Sequence, residues 1–106
     1  MTIKDKLQEI YNANVEGYGD AEKFKSDLLQ YGCVSGMVSE LIYYKDTVAL
    51  YDEFEDECDE WLNEQIEQTG LRPDQLFRDW DYSINSDLNK NTVIWAMFEE
   101  YVANEV

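Results

Sequence analysis

Asp46–Gly70, DTVALYDEFEDECDEWLNEQIEQTG, decides how this chain folds. Nine carboxylates lie between Asp52 and Glu67, and no Lys or Arg occurs between Lys45 and Arg72. The apolar residues Val48, Tyr51, Phe54, Cys58, Trp61, Leu62 and Ile66 nevertheless recur at helical spacing. The spacing predicts one helix with an apolar inner face and an almost purely negative outer one, capped by Asp46 or Thr47 and ended at Thr69-Gly70.

Working outward, the same periodicity covers most of the chain. Thr2 and Asp5 form an Asp variant of the capping box, ahead of Ile3, Leu7, Ile10 and Tyr11 on a helix to about Asn14. VEGYGD, residues 15–20, reads as a loop. Asp20 caps a short helix carrying Phe24, Leu28 and Leu29, stopped at Gly32. Cys33–Lys45, with Val34, Met37, Val38, Leu41 and Ile42 at helical spacing and little charge, reads as the central helix.

Pro73 suits the first turn of a short helix over PDQLFRDW. A polar stretch, DYSINSDLNKN, leads to a last helix from about Thr92 with Ile94, Trp95, Phe98, Tyr101 and Val102 inside. No useful length alternates apolar and polar, and no Asn-Gly or Asp-Gly hairpin turn occurs. The expected fold is all-α, a compact single-domain bundle of five or six helices over residues 1–106.

Composition bounds the function. The chain has 106 residues and a formal charge of -16 from 24 acidic and 8 basic side chains. Residues 1–45 hold 7 acidic and 5 basic, residues 46–106 hold 17 and 3. Such a field repels nucleic acid and anionic membrane and attracts basic protein surfaces or cations. An aromatic content of 14% argues for a folded core, since disordered acidic chains are poor in aromatics. Nothing resembles a signal peptide or a bilayer span, so the expected location is the cytoplasm.

The chain has no His. Ser-His-Asp and Cys-His nucleophilic sites, His-containing zinc sites and Glu-x-x-His di-metal motifs are therefore excluded. Cys33 and Cys58 read as small buried apolar residues. Gly32 and Gly36 lack the context of a phosphate loop and suit close helix approach. DYSINSDLNKNT, Asp81–Thr92, places Asp81, Ser83, Asn85 and Asp87 at alternate positions. It has Ser86 where an EF-hand needs Gly and Thr92 where it needs Glu. No catalytic residue, metal site or cofactor is expected, and the chain reads as a non-enzyme.

The run from Tyr31 to Glu57 resembles a family of small phage and prophage proteins of unknown function. The likeness rests on Gly-Cys-Val-Ser-Gly at 32–36, Leu-Ile-Tyr-Tyr at 41–44, Asp46-Thr47 and Tyr51-Asp52. The resemblance implies a mobile element of Gram-positive bacteria and supplies no activity. In size and charge the chain is also similar to phage inhibitors of host nucleases that imitate DNA, including anti-CRISPR and anti-restriction proteins.

The expected function is anti-CRISPR-like inhibition of a host nucleic-acid-targeting nuclease, a Cas9-type effector being one candidate, through its basic nucleic-acid-binding surface. The phosphate-like groups would be Asp52, Glu53, Asp56, Glu57, Asp59, Glu60, Glu64 and Glu67, helped by Asp74, Asp79, Asp81 and Asp87. No direct nucleic-acid or membrane contact is expected. Tyr51, Phe54, Trp61, Trp95, Phe98 and Tyr101 read as core. Tyr43, Tyr44, Trp80 and Tyr82, near helix ends, are candidate anchors. The alternative is a small non-catalytic helical interaction module that binds through an apolar patch, its acidity serving only solubility.

Overall fold

A computed structural model describes residues 1–31, 44–77, 80 and 87–105. Among these residues there are six helices and no strand: α1 (Ile3–Tyr18), α2 (Ala21–Tyr31), α3 (Tyr44–Glu53), α4 (Glu55–Thr69), α5 (Pro73–Leu76) and α6 (Asp87–Glu105). The fold is an all-α bundle. The expected central helix over Cys33–Lys45 lies mostly outside the described residues. Among those described, α6 holds the middle and touches α1, α2, α3 and α4.

The sequence of α6 explains that position. Val93 and Met97 form one buried stripe, and Ile94, Phe98 and Val102 form another beside it. Two adjacent stripes give a broad apolar face that can serve several neighbours at once. Ile3, Leu7 and Tyr11 of α1 pack onto the same cluster, joined by Phe24 and Leu28 of α2, Leu50 of α3 and Cys58 of α4. Val93, Ile94, Phe98 and Val102 are buried as residues of one core, whereas Trp95 and Tyr101 pack against it half-buried.

Several boundaries differ from the sequence expectation. The N-terminal helix continues through Gly17 to Tyr18, and Gly19 at φ +87° ends it by donating its N–H to Val15 O at 2.8 Å. The expected loop therefore shrinks to its last two residues, because a left-handed Gly cap stops the helix and the Gly before it does not. Asp20 does cap α2, its Oδ1 accepting from Lys23 N–H at 3.0 Å. Leu29 is exposed, so the buried stripe among the described side chains of α2 is Phe24 and Leu28.

The short helix after Pro73 stops at Leu76. α6 begins at Asp87, five residues earlier than expected. Asp87–Thr92 is consequently helical, which removes the second half of the Asp81–Thr92 stretch from any extended cation-binding loop. Residues 81–86 lie outside the description.

The opening stretch shows the largest correction. It forms two helices, broken at Phe54, where φ is -121° and ψ 38°. The Phe54 N–H is shared between Leu50 O at 3.2 Å and Tyr51 O at 3.1 Å, and its own carbonyl accepts from Cys58 N–H at 2.9 Å. No Gly or Pro marks the place, so nothing local announces it. The residues on either side pack on α6 through different side chains, Leu50 from α3 and Cys58 from α4. The break also interrupts the helical juxtaposition of Asp52 with Asp56 and of Glu53 with Glu57.

Neither expected cap operates at the start of α3. The helix begins at Tyr44, and Thr47 lies fully buried inside it, its Oγ1 donating to Asn91 Oδ1 on α6 at 2.8 Å. The expected stop at Gly70 holds: φ is +70°, and its N–H donates to Ile66 O at 2.8 Å.

Candidate functional site

The acidic surface is built on α4 and the end of α3. At 3.6 residues per turn, Asp56, Glu60, Asn63 and Glu67 lie opposite the buried Cys58. Six like-charge pairs at i, i+3 and i, i+4 remain within α4: Glu55/Asp59, Asp56/Glu60, Glu60/Glu64, Asp56/Asp59, Glu57/Glu60 and Glu64/Glu67. Their repulsion costs about 1–3 kcal/mol at low salt. The packing of Cys58, with Trp61 and Leu62 against the core, holds the helix against it.

The twelve expected site residues are not equivalent. Asp52, on α3, pairs with Lys90 of α6 at 2.6 Å, and the same ammonium lies 5.7 Å from the Tyr51 ring centroid. The hydrogen bond to Asp52 raises the Lys90 pKa, the chief opposing effect being burial. Asp59 accepts from the Tyr51 hydroxyl, whose pKa is raised first by burial and then by that bond. Glu57 Oε2 accepts from Ile3 N–H at 2.7 Å, at the first residue of α1. Asp74 pairs with Arg72 at 3.3 Å. These four carboxylates are used inside the fold.

Glu53, Asp56, Glu60, Glu64 and Glu67 are exposed and make no ion pair among the described residues; Asp87 is exposed at the start of α6. Asp79 and Asp81 lie outside the description. Glu55, absent from the expected set, is also exposed and unpaired among the described residues. The five carboxylates Glu55, Asp56, Glu60, Glu64 and Glu67 are spread along one helix at a mean interval of about 4.5 Å of axis. A single DNA strand carries one per ~3.4 Å.

Beside this face lies a cleft of about 340 Å³ between the start of α1, the middle of α4 and the end of α6. Buried Ile3, Leu7 and Met97 supply its apolar lining, with Trp61 and Tyr101. Glu57, Glu60, Glu64, Glu100 and Glu105 contribute carboxylates, against the ammonium of Lys4. Glu100 accepts from the Trp61 indole N–H at 3.1 Å, and Glu105 pairs with Lys4 at 2.9 Å. Sequence reasoning took Trp61 for core and missed Glu100 and Glu105 altogether. Their chain distance from the acidic run leaves no local signal.

The aromatic residues after α4 extend this region. Phe77 stacks on Trp61 with centroids 6.5 Å apart and on Trp80 at 5.7 Å, all three half-buried. Tyr43 and Tyr82 lie outside the description. The Cys58 thiol is free and fully buried, and burial, with Asp59 and Glu57 nearby, pushes its pKa up to about 12. A thiol so held is protonated at neutral pH and a poor nucleophile.

Among the described residues no three Cys, Asp or Glu side chains converge to hold a metal ion. Nor is any helix there long and apolar enough to cross a membrane. No curated protein matches the chain, and no solved structure does. A family model described as a domain of unknown function, DUF7222, matches residues 2–105, and the chain belongs to that family.

Proposed function

We propose that the protein is a non-catalytic inhibitor from a phage or mobile element that occupies the basic nucleic-acid-binding surface of a host nuclease, acting as a DNA mimic in the host cytoplasm. The observation that carries this reading is the outer face of α4, where Asp56, Glu60 and Glu67, flanked by Glu64, have no cationic partner among the described residues. A surface helix kept for solubility alone gains from mixed signs, because Glu-Lys pairs stabilise it and like pairs do the reverse. Here the repulsion is retained along about 18 Å of helix. The sequence likeness to small phage and prophage proteins supports the same context.

A Cas9-type effector is the target class to test first. The chain is titrated into effector-catalysed cleavage of duplex DNA across a range of KCl concentrations. Inhibition should compete with duplex DNA and weaken steeply with salt. The combined reversal Asp56→Lys and Glu67→Lys should abolish it, with the helical circular dichroism unchanged. Full inhibition by the reversed variant would overturn the reading for that target.

A second reading has its own observation. The half-buried stack of Trp61, Phe77 and Trp80 offers an aromatic surface for an apolar partner, with the acidity serving solubility alone. Association of that kind responds little to salt. Binding that survives high KCl and the charge reversal would favour it.

A further inference from the structure

In the cleft between α1, α4 and α6, carboxylates stand beside an apolar surface. Buried Ile3, Leu7 and Met97 contribute that surface, next to the Trp61 indole. Three of its carboxylates are committed within the fold. Glu57 holds the Ile3 N–H, Glu100 the Trp61 indole N–H and Glu105 the Lys4 ammonium. Glu60 and Glu64, one turn apart on α4, have no such partner among the described residues.

We propose that this cleft receives an arginine side chain of the partner protein. The proposal rests on the reading above in one respect, that the partner surface is basic. An occupant must match apolar lining, aromatic surface and two uncommitted carboxylates together. An arginine does so: its methylene stem lies on apolar groups, its flat cation pairs with an indole, and its forked N–H donors suit carboxylates. Charge complementarity excludes the main competitors. Five carboxylates against one ammonium repel a phosphate group, and a chain of formal charge -16 repels a second copy of itself. A bare metal ion would leave the apolar lining unused.

The test is an NMR titration of the full chain with the peptide acetyl-Leu-Arg-Leu-amide, alongside its citrulline counterpart. Amide shifts should concentrate at residues 2–7, 57–64 and 97–105 and include the Trp61 indole. The citrulline peptide, which keeps the shape and loses the charge, should bind at least about tenfold more weakly. Glu60→Gln with Glu64→Gln should weaken the arginine peptide similarly, whereas Asp56→Gln with Glu67→Gln on the outer face should not. Equal binding by the citrulline peptide, or indifference to the Glu60/Glu64 pair, would overturn the cleft proposal. So would the same shifts produced by calcium chloride alone, or by raising the protein concentration without peptide.

The two proposals fail separately. Salt-sensitive inhibition of a nuclease without the cleft pattern leaves the mimic standing and removes the arginine site. The cleft pattern, in a chain that inhibits no nuclease, does the opposite.

Discussion

Glu57 Oε2 accepts a hydrogen bond from the Ile3 N–H at 2.7 Å, so a carboxylate of the acidic helix closes the start of the N-terminal one. The first N–H groups of a helix have no partner within it and carry a partial positive charge. Thr2 and Asp5 satisfy part of that need through the local capping box, and Glu57 adds a contact from 54 residues away. The acidic run is thus partly a structural device.

A comparison on α4 isolates that role. Glu57→Ala is expected to lower stability by about 1–2 kcal/mol, through loss of a charge-assisted bond at a helix start. Glu60→Ala removes the same charge from the same helix and relieves two like-charge neighbours at i, i+4, so stability should hold or rise slightly. Urea unfolding of both variants at low salt decides the matter. Equal losses would assign no special role to the Glu57 contact.

The Thr47–Asn91 bond joins α3 to α6 from a fully buried hydroxyl. Thr47→Val keeps the shape and removes the donor, leaving Asn91 without it. The expected cost is about 0.5–1.5 kcal/mol, the net worth of one hydrogen bond, because half-buried Asn91 can turn to water. Adding Asn91→Leu should recover part of the loss, because both members of the pair then become apolar. A double-mutant cycle in urea measures the coupling.

Alkaline instability should follow from Cys58. Its folded pKa of about 12 lies above the ~8.5 of an unfolded thiol. The unfolded chain therefore loses this proton first as pH rises, and binds fewer protons than the folded one. The thiol's contribution is fully present below pH ~8.5 and is lost progressively up to about 12, at no more than ~1.4 kcal/mol per unit. Tyr51 acts in the same direction above its ordinary phenol range, because burial raises its pKa too. Between pH 8.5 and 10 the wild-type chain is expected to lose roughly 1–2 kcal/mol more than Cys58→Ala. Equal slopes in urea unfolding at the two pH values would refute this.

Helix formation itself was legible because period and caps are local. Ile3, Leu7 and Tyr11 show the first helix, Thr2 and Asp5 show its start, and Gly70 shows the end of the acidic one. The break at Phe54 was not legible. With no Gly or Pro to mark it, it depends on how Leu50 and Cys58 each meet α6. The early start of α6 was hidden for a related reason: Asn89 is buried and Lys90 reaches Asp52, so polar residues that suit a loop are held in a helix by tertiary partners.

The site divides along the same line. The sequence by itself determined that the chain is helical, strongly acidic in its second part and without His, because residue type and spacing fix periodicity, charge and available chemistry. Only the tertiary structure decided which carboxylates are free. Asp52, Glu57 and Asp59 lose their independence to Lys90, Ile3 and Tyr51, while Glu60 and Glu64 come to lie beside Trp61 and an apolar cleft. Such pairings depend on distances between segments far apart in the chain, which no local pattern encodes.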